Sequence, residues 1–327
     1  KHMFGQSLYS EKINEVIAKA HFPESPENLY DPIRYILSLA GKRIRPLLVL
    51  LGADLFTEST VEGTYQASLA IEYFHNFSLL HDDIMDKAPL RRGKATVHEK
   101  WNDNVAILSG DALLVQAYQE LSKCPADKLS ALLPVFNKTA LEVCEGQQMD
   151  MDFEKESLVS EADYIEMIRL KTSVLLGGAL QLGAILADAS LEHQSLLYAF
   201  GVNLGIAFQL QDDILDVYGD PLTFGKQVGG DILCNKKTLL HIALHKALND
   251  EDRQVFEALL KTDVDVEPNK VEKMKDLYAK YDILALAIRH KEKFTAVAYE
   301  KLASIQVGDA KKSPLHDLAD TLMHRKQ

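Results

Sequence analysis

Two short stretches carry residues whose type and spacing could do chemistry: Leu79-Leu80-His81-Asp82-Asp83-Ile84-Met85-Asp86 and Leu210-Gln211-Asp212-Asp213-Ile214-Leu215-Asp216. Each sets Asp-Asp-x-x-Asp inside an otherwise apolar run with helical period. Residues four apart share a helix face, so Asp82 stands one turn from Asp86 and Asp212 one turn from Asp216. Like charges at that spacing destabilise a helix unless something positive lies between them. Carboxylate oxygens are hard ligands, and Mg²⁺ takes one or two of them with substrate phosphates completing its octahedron. Two such helices facing each other would hold Mg²⁺ against a diphosphate. A solvated helix face or a helix start would explain one Asp pair equally well. Two copies flanked by apolar residues argue against that, because uncompensated carboxylates are rarely placed in a core. A His81-Asp82 metal dyad of the phosphohydrolase kind would leave Asp86 and the second set unexplained.

Each acidic set is followed by cations. Arg91-Arg92 comes soon after Asp86, and Lys226 follows Asp216 in a Gly/Lys loop that runs through Gly229-Gly230 to Lys236-Lys237. Gly41-Lys42-Arg43-Ile44-Arg45-Pro46 adds a third cluster. Adjacent arginines suit bidentate gripping of phosphate oxygens, while lysine supplies point charges. Any one of these side chains could simply be solvated. Their position beside the carboxylates suits them to stabilising a diphosphate leaving group together with Mg²⁺.

The elements that must position these residues are almost all helical in period. Helices are expected over residues 6–20, from an Asp31-Pro32 start to Leu39, over 47–56 after Pro46, and over 61–85 with the first acidic set near its end. A basic loop follows at 87–100, then helices at 103–121, 127–151, 161–189 and 191–218, the last carrying the second acidic set. Four shorter helices near 238–248, 251–261, 267–279 and 281–305 precede a charged tail. No linker or composition shift divides the 327 residues, so one all-α domain is expected over 1–327, with Lys1-His2 a cloning remnant before Met3. Both acidic sets can then end at one mouth of a helical bundle, with apolar walls below.

Composition bounds the partners. With 47% apolar residues a large core is available, and a net charge of −12 argues against nucleic acid, which calls for a basic stripe. Cys124, Cys144 and Cys234 lack metal-ligand spacing, so a reducing cytoplasm is expected. Residues 1–20 are charged and amphipathic, unlike a secretory signal. The apolar stretch 174–187 is too short to span a bilayer, so no stable membrane insertion is expected.

The ordered motifs resemble those of the trans-isoprenyl diphosphate synthases, the polyprenyl synthetase family. The first acidic stretch through Arg91-Arg92-Gly93 is similar to that family's first aspartate-rich motif, and Phe208-Gln209 through Asp216 to its second. Gly41 to Pro46 is similar to its N-terminal diphosphate motif. Ala95 departs from the family's usual Pro in the loop after Arg91-Arg92, which questions that loop's rigidity. The resemblance implies a helical bundle of the isoprenoid synthase type around a central cavity, and a homodimer whose candidate face lies among the helices between residues 103 and 151. It implies Mg²⁺, three ions per site, on Asp82, Asp86 and Asp212, with Asp83 and Asp216 in support. Lys42, Arg45, His75 and Arg92 would hold isopentenyl diphosphate. Arg91, Lys171, Lys226 and Lys236 would hold the allylic diphosphate (dimethylallyl, geranyl or farnesyl). Thr172 and Gln209 would turn oxygen dipoles to the allylic cation. The implied chemistry is ionisation, head-to-tail condensation and elimination, in a site that keeps water from the cation.

Bulk before the first acidic motif acts in this family as a floor under the growing chain. Phe77 and Phe74 lie ~7 Å and ~12 Å below Asp82 along a helix rising ~1.5 Å per residue. Phe77 followed by the small Ser78 is similar to the pattern that makes the C20 product geranylgeranyl diphosphate; two aromatics there would suggest C15 farnesyl diphosphate, and two small residues C30 or more. At ~100° per residue Ser78 is nearer the Asp82 face than Phe77 is, so the role of Phe77 comes from the resemblance and not from the helical wheel. Ordinary core packing would also account for Phe74 and Phe77. Two other rivals are a class I terpene cyclase, which would carry a different second metal motif, and a non-catalytic subunit of a heteromeric synthase, which would have lost an acidic motif.

Overall fold

A computed structural model describes residues 4–39, 41–220, 228–263 and 268–324. The helices are α1 (Phe4–Ala18), α2 (Glu27–Ser38), α3 (Ile44–Asp54), α4 (Thr64–Met85), α5 (Val97–Lys100), α6 (Asp103–Leu121), α7 (Ala126–Lys155) and α8 (Glu161–Ile168). A π-turn (Arg169–Ser173) leads into α9 (Val174–Leu186), followed by α10 (Leu191–Tyr218), α11 (Gly230–Leu233), α12 (Leu239–Ala247), α13 (Asp250–Lys261), α14 (Lys270–Lys280), α15 (Ile283–Ala303) and α16 (Asp309–Met323). The all-α expectation holds; among the described residues the only strands are β1 (Leu90–Arg91) and β2 (Lys94–Ala95), a two-residue antiparallel pair.

The chain divides into two compact units. The first takes Lys1–Leu141, Leu175–Tyr198 and Ile305–Leu315; the second takes Glu142–Val174, Ala199–Ser304 and His316–Gln327. The first unit is built on α3, α4 and α6. Leu47, Leu48, Val49, Leu50 and Leu51 are all buried, so α3 is apolar all round, as a helix at the centre of a core must be. A Cβ added to Gly52 would stand 2.4 Å from the carbonyl oxygen of Leu180, and one added to Gly183 would stand 2.2 Å from that of Val49. Backbones of α3 and α9 therefore meet with no side chain between them. In the second unit Ile214, Val217, Leu239, Leu240, Phe256, Leu277 and Leu302 are core residues.

Several elements depart from the sequence expectation. Helix α2 begins at Glu27 and not at Asp31-Pro32; Pro26 is its extended cap residue and Pro32 lies inside it. Pro32 removes one helical hydrogen bond, but Pro32, Ile33, Ile36 and Leu37 are buried on one side. Arg34 pairs with Asp31 Oδ1 (2.7 Å) within the helix and ties it to the preceding chain through the carbonyls of Phe22 (2.8 Å) and Pro23 (2.6 Å). The basic loop at 87–100 contains the β1–β2 hairpin and α5. Arg92 (φ 51) and Gly93 (φ 77) both adopt positive φ at its turn, the requirement of a type I′ connection. Ala95, the departure from the family pattern, pairs with Leu90, and its carbonyl accepts the Tyr35 hydroxyl at 2.6 Å. The helix expected over 161–189 is interrupted by the π-turn. The charged tail is helix α16, with Leu315, Leu318, Ala319, Leu322 and Met323 buried at helical spacing.

Candidate active site

In the first unit the acidic set closes α4. Asp86 N–H donates to the Asp82 carbonyl at 2.8 Å, so the two carboxylates stand one turn apart, Asp82 half-buried and Asp86 exposed. A helix C-terminus is the negative end of the macrodipole, a poor place for carboxylates unless cations attend them. Arg91 supplies one. Its Nε and Nη2 donate to Asp83 Oδ2 and Oδ1, both at 2.8 Å, a bidentate fork on a carboxyl that is 5% exposed. Asp83 thus faces the hairpin. Among the described residues no three His, Cys, Asp or Glu side chains gather into a complete metal site. Two carboxylates one turn apart fit Mg²⁺, a hard cation that takes few protein oxygens and fills its octahedron with phosphate and water.

His81 is directed elsewhere. Its Nε2 lies 3.0 Å from the Ile107 carbonyl of α6, which can only accept, so Nε2 carries the proton.

The hairpin places Arg92 in a second cluster. Its Nη1 donates to the Leu39 carbonyl at 3.2 Å, and a Cβ on Gly41 would stand 2.7 Å from its Cζ, so the Gly41–Pro46 motif and the Arg91-Arg92 pair meet. Exposed Lys42 precedes Arg43, whose left-handed backbone (φ 52) starts α3. Burial, then the guanidiniums of Arg45, Arg92, Arg91 and Arg43, hold the His75 imidazole well below its ordinary pKa. His75 is therefore neutral near pH 7, a hydrogen-bonding group and not a charge. Burial also lowers Arg45, opposed by Glu72 and reinforced by Arg92. Arg45 Nε is a buried donor with no acceptor among the described residues, the kind of group a diphosphate oxygen satisfies.

Sequence reasoning missed Glu72, the counter-charge of this cluster. It is 2% exposed, accepts from Arg43 Nη1 at 2.7 Å and accepts from Asn76 Nδ2 at 2.8 Å. The available signal was one carboxylate inside the apolar run Ala70-Ile71-Glu72-Tyr73-Phe74. Below the acidic set on α4, Phe77 meets the rings of His81 (4.8 Å) and Phe74 (5.7 Å). Phe74 is backed by Phe136 (5.9 Å), and Phe136 by Tyr118 (4.9 Å). Ser78 turns its hydroxyl onto the His75 carbonyl at 2.6 Å.

In the second unit Asp212 and Asp216 are half-buried and Asp213 is buried. The Tyr164 hydroxyl and Gln209 Nε2 (3.3 Å) donate to Asp213. Burial pushes the Asp213 carboxyl up to about 7, although Lys236 and the hydrogen bond from Tyr164 pull it down. With its amide nitrogen on Asp213, Gln209 keeps its carbonyl oxygen for another partner, as a dipole aimed at a cation requires. Asp216 Oδ1 accepts the Asp231 N–H at 2.9 Å and its carbonyl accepts the Gly229 N–H at 2.6 Å, which fixes the chain entering α11. Desolvation lowers the Lys236 ammonium, but Asp231, Asp213, Asp150 and Asp216 outweigh it and leave it raised. Lys171 and Thr172 occupy the π-turn. Lys171 Nζ donates to Asp150 Oδ2 at 2.6 Å. Asp150 and Tyr164 were not singled out from the sequence. Lys226 lies outside the described residues.

These features define a helical protein that sets carboxylates beside guanidiniums and lysines, the equipment for holding a metal–diphosphate. The chain belongs to the polyprenyl synthetase family, whose pattern matches residues 26–281. It is 42% identical over 219 residues to a geranylgeranyl diphosphate synthase of Methanosarcina mazei, covering 66% of this chain and 67% of that one. It is 36% identical over 252 residues to a geranylfarnesyl diphosphate synthase of Natronomonas pharaonis, covering 72% and 73%. A crystal structure of a geranylgeranyl pyrophosphate synthase superposes with a TM-score of 0.89 at 42% identity, covering 98% of each chain. The fold is thus the all-α isoprenoid synthase fold. Among the described residues no helix is long and apolar enough to cross a membrane.

Glu72 offers a direct check on the cationic cluster. Removing one partner of a buried ion pair leaves an uncompensated charge, so Glu72→Ala should destabilise the protein by roughly 3–5 kcal/mol. Glu72→Gln, which keeps an acceptor for Arg43, should cost less. Urea unfolding of the two variants reads the difference; equal losses would mean that packing, and not charge, is what Glu72 supplies.

Proposed function

We propose that the chain is a trans-prenyltransferase that joins isopentenyl diphosphate head-to-tail to an allylic diphosphate, releasing diphosphate, with the C20 compound geranylgeranyl diphosphate as main product. The observation that carries this reading is the Asp83–Arg91 fork. It ties the metal-type carboxylates of α4 to the hairpin whose next residue, Arg92, belongs to the anion-binding cluster. The family match runs through sequence of both compact units, which supports treating the chain as one synthase domain.

When bound, Mg²⁺ neutralises charge on the allylic diphosphate as its C–O bond breaks. Asp82, Asp86 and Asp212 are the residues we assign to holding it, as three ions per site, with Asp83 and Asp216 in support. Arg91, Lys171, Lys226 and Lys236 hold the allylic diphosphate; Lys42, Arg45, Arg92 and neutral His75 hold isopentenyl diphosphate. Thr172 and Gln209 direct oxygen dipoles to the allylic cation. The double bond of isopentenyl diphosphate forms the new C–C bond at that cation, and the proton lost in restoring a double bond passes to the released diphosphate. A terpene cyclase would have no use for the Arg45–His75–Arg92 cluster, and a non-catalytic subunit none for two intact acidic sets. We place the enzyme in the cytoplasm, in keeping with cysteines that form no disulfide.

Both acidic sets serve this one reaction. Asp82→Ala and Asp212→Ala should each lower kcat by orders of magnitude with helical content intact, since removing one element that stabilises a leaving group costs several kcal/mol. Near-normal turnover of either variant at saturating Mg²⁺ would sink the reading, as would a purified wild-type chain that makes no prenyl diphosphate.

Product length rests on the Phe77–Phe74 ring contact and on relatives named for C20 and for geranylfarnesyl products. With C15 the alternative on the shorter side, Phe77→Ala should lengthen the main product beyond C20, read from product distribution because truncating a packed Phe also costs roughly 3–5 kcal/mol. An unchanged length would put the floor on another residue.

A homodimer completes the proposal. Helix α6 exposes Ile107 (44%), Leu108 (60%) and Val115 (69%), an apolar face within the stretch expected to pair. Sedimentation at micromolar concentration should give about twice the 36.6 kDa chain mass. A fully active monomer would contradict it.

A further inference from the structure

The π-turn Arg169–Ser173 holds both Lys171 and Thr172. Such a turn is rare, and where one persists its surroundings must keep it open. Two neighbouring helices do so with glycines. On α7, Gly146 is buried against the main chain of the turn: a Cβ built there would lie 2.2 Å from Lys171 N and 2.6 Å from Lys171 Cα. On α10, a Cβ on Gly205 would lie 2.9 Å from Cα, Cβ and Oγ of Ser173, which is fully buried. The contact at Gly146 is against backbone, which cannot rotate aside as a side chain could.

Asp150 lies four residues beyond Gly146 and therefore on the same face of α7. Its Oδ2 accepts the Lys171 ammonium at 2.6 Å. One face of α7 thus meets Lys171 at both ends, its amide against Gly146 and its Nζ on Asp150. Along α10 the face of Gly205 continues to Gln209 and Asp213, which are hydrogen-bonded to each other.

We propose that Gly146 is a positioning residue for Lys171. Lacking a side chain, it lets α7 close onto the π-turn, so that Asp150 fixes the Lys171 ammonium for the allylic diphosphate, while Gly205 lets α10 close from its own side. The inference rests on the assignment of Lys171 to that diphosphate. A methyl at position 146 must push the turn and α7 apart by on the order of an ångström, and displacements of that size cost up to about a hundredfold in well-oriented sites.

The test compares wild type, Gly146→Ala, Asp150→Asn, the double variant and Lys171→Ala as purified full chains, with geranyl diphosphate and isopentenyl diphosphate varied separately and helical content followed by circular dichroism. Folded Gly146→Ala should raise KM for geranyl diphosphate about tenfold or more, with KM for isopentenyl diphosphate changed by less than about twofold. Asp150→Asn should shift the same KM in the same direction, and the double variant should be no worse than its more severe parent, because both act through one ammonium. Two results in a folded Gly146→Ala overturn the proposal: equal movement of both KM values, or no movement of the allylic one. Effects that multiply in the double variant overturn it too. If Gly146→Ala does not fold, Asp150→Asn decides, and an unchanged allylic KM there overturns the proposal. An unchanged allylic KM in Lys171→Ala overturns the assignment of Lys171 and this inference together, whereas a change in Lys171→Ala but not in Gly146→Ala overturns the positioning alone.

Discussion

A carboxylate at the C-terminal end of a helix, only 5% exposed, is stable only against a cation that satisfies both of its oxygens, and Arg91 does this for Asp83. Much of the first unit follows from that fork. It draws the β1–β2 hairpin onto the end of α4. The hairpin's turn, with Arg92 and Gly93 both at positive φ, directs Arg92 back to Gly41 and Leu39. Asp82 and Asp86 stand one turn apart at the same helix end, the spacing that the proposed metal site uses.

The cationic cluster illustrates how unfavourable a specific site is before its ligand arrives. Arg43, Arg45, Arg91 and Arg92 all act on His75, and burial adds to them. Asp83 meets Arg91, and the other buried carboxylate, Glu72, offsets the remaining guanidiniums only in part and is itself held by Arg43 and Asn76. The remaining positive potential is what a dianionic or trianionic ligand would neutralise. The second unit shows the opposite imbalance: Asp150, Asp213, Asp216 and Asp231 surround Lys236, and Asp213 rises to about 7 because burial outweighs that single ammonium. A net-negative chain can handle anionic substrates because its potential is local, set by which few side chains are desolvated together.

The sequence made the helices at 103–121 and 191–218 legible to the residue, since each has a polar start: Asn102 accepts the Val105 N–H in the first, and Ser190 accepts the His193 N–H in the second. It also made the acidic and basic motifs legible, because charges spaced four apart inside apolar runs have few structural explanations. What it hid has physical reasons. Pro32 reads as a helix start, yet the helix tolerates it inside because the face around it is buried. The hairpin at Arg91-Arg92 has strands of two residues, below the length at which alternation can appear. The partners of the site residues were equally hidden: Glu72, Asp150 and Tyr164 matter through contacts between elements, and spacing along one helix does not report them.

The π-turn is the clearest case of structure decided by close packing and not by local propensity. Arg169-Leu170-Lys171-Thr172-Ser173 contains nothing that disfavours an α-helix strongly, and the periodicity runs through it unbroken. The interruption is specified by residues far away in sequence, Gly146 on α7 and Gly205 on α10, which offer no side chain where the widened turn needs room. A helix with one extra residue in a turn also shifts every later side chain by ~100°, so the register of the apolar helix α9 depends on that turn. Leu175, Leu176, Leu180 and Leu182 are all buried, and α9 is buried nearly all round. What sets the turn apart from the α-helices on either side of it is its packing, with Gly146 against its main chain and Gly205 against Ser173.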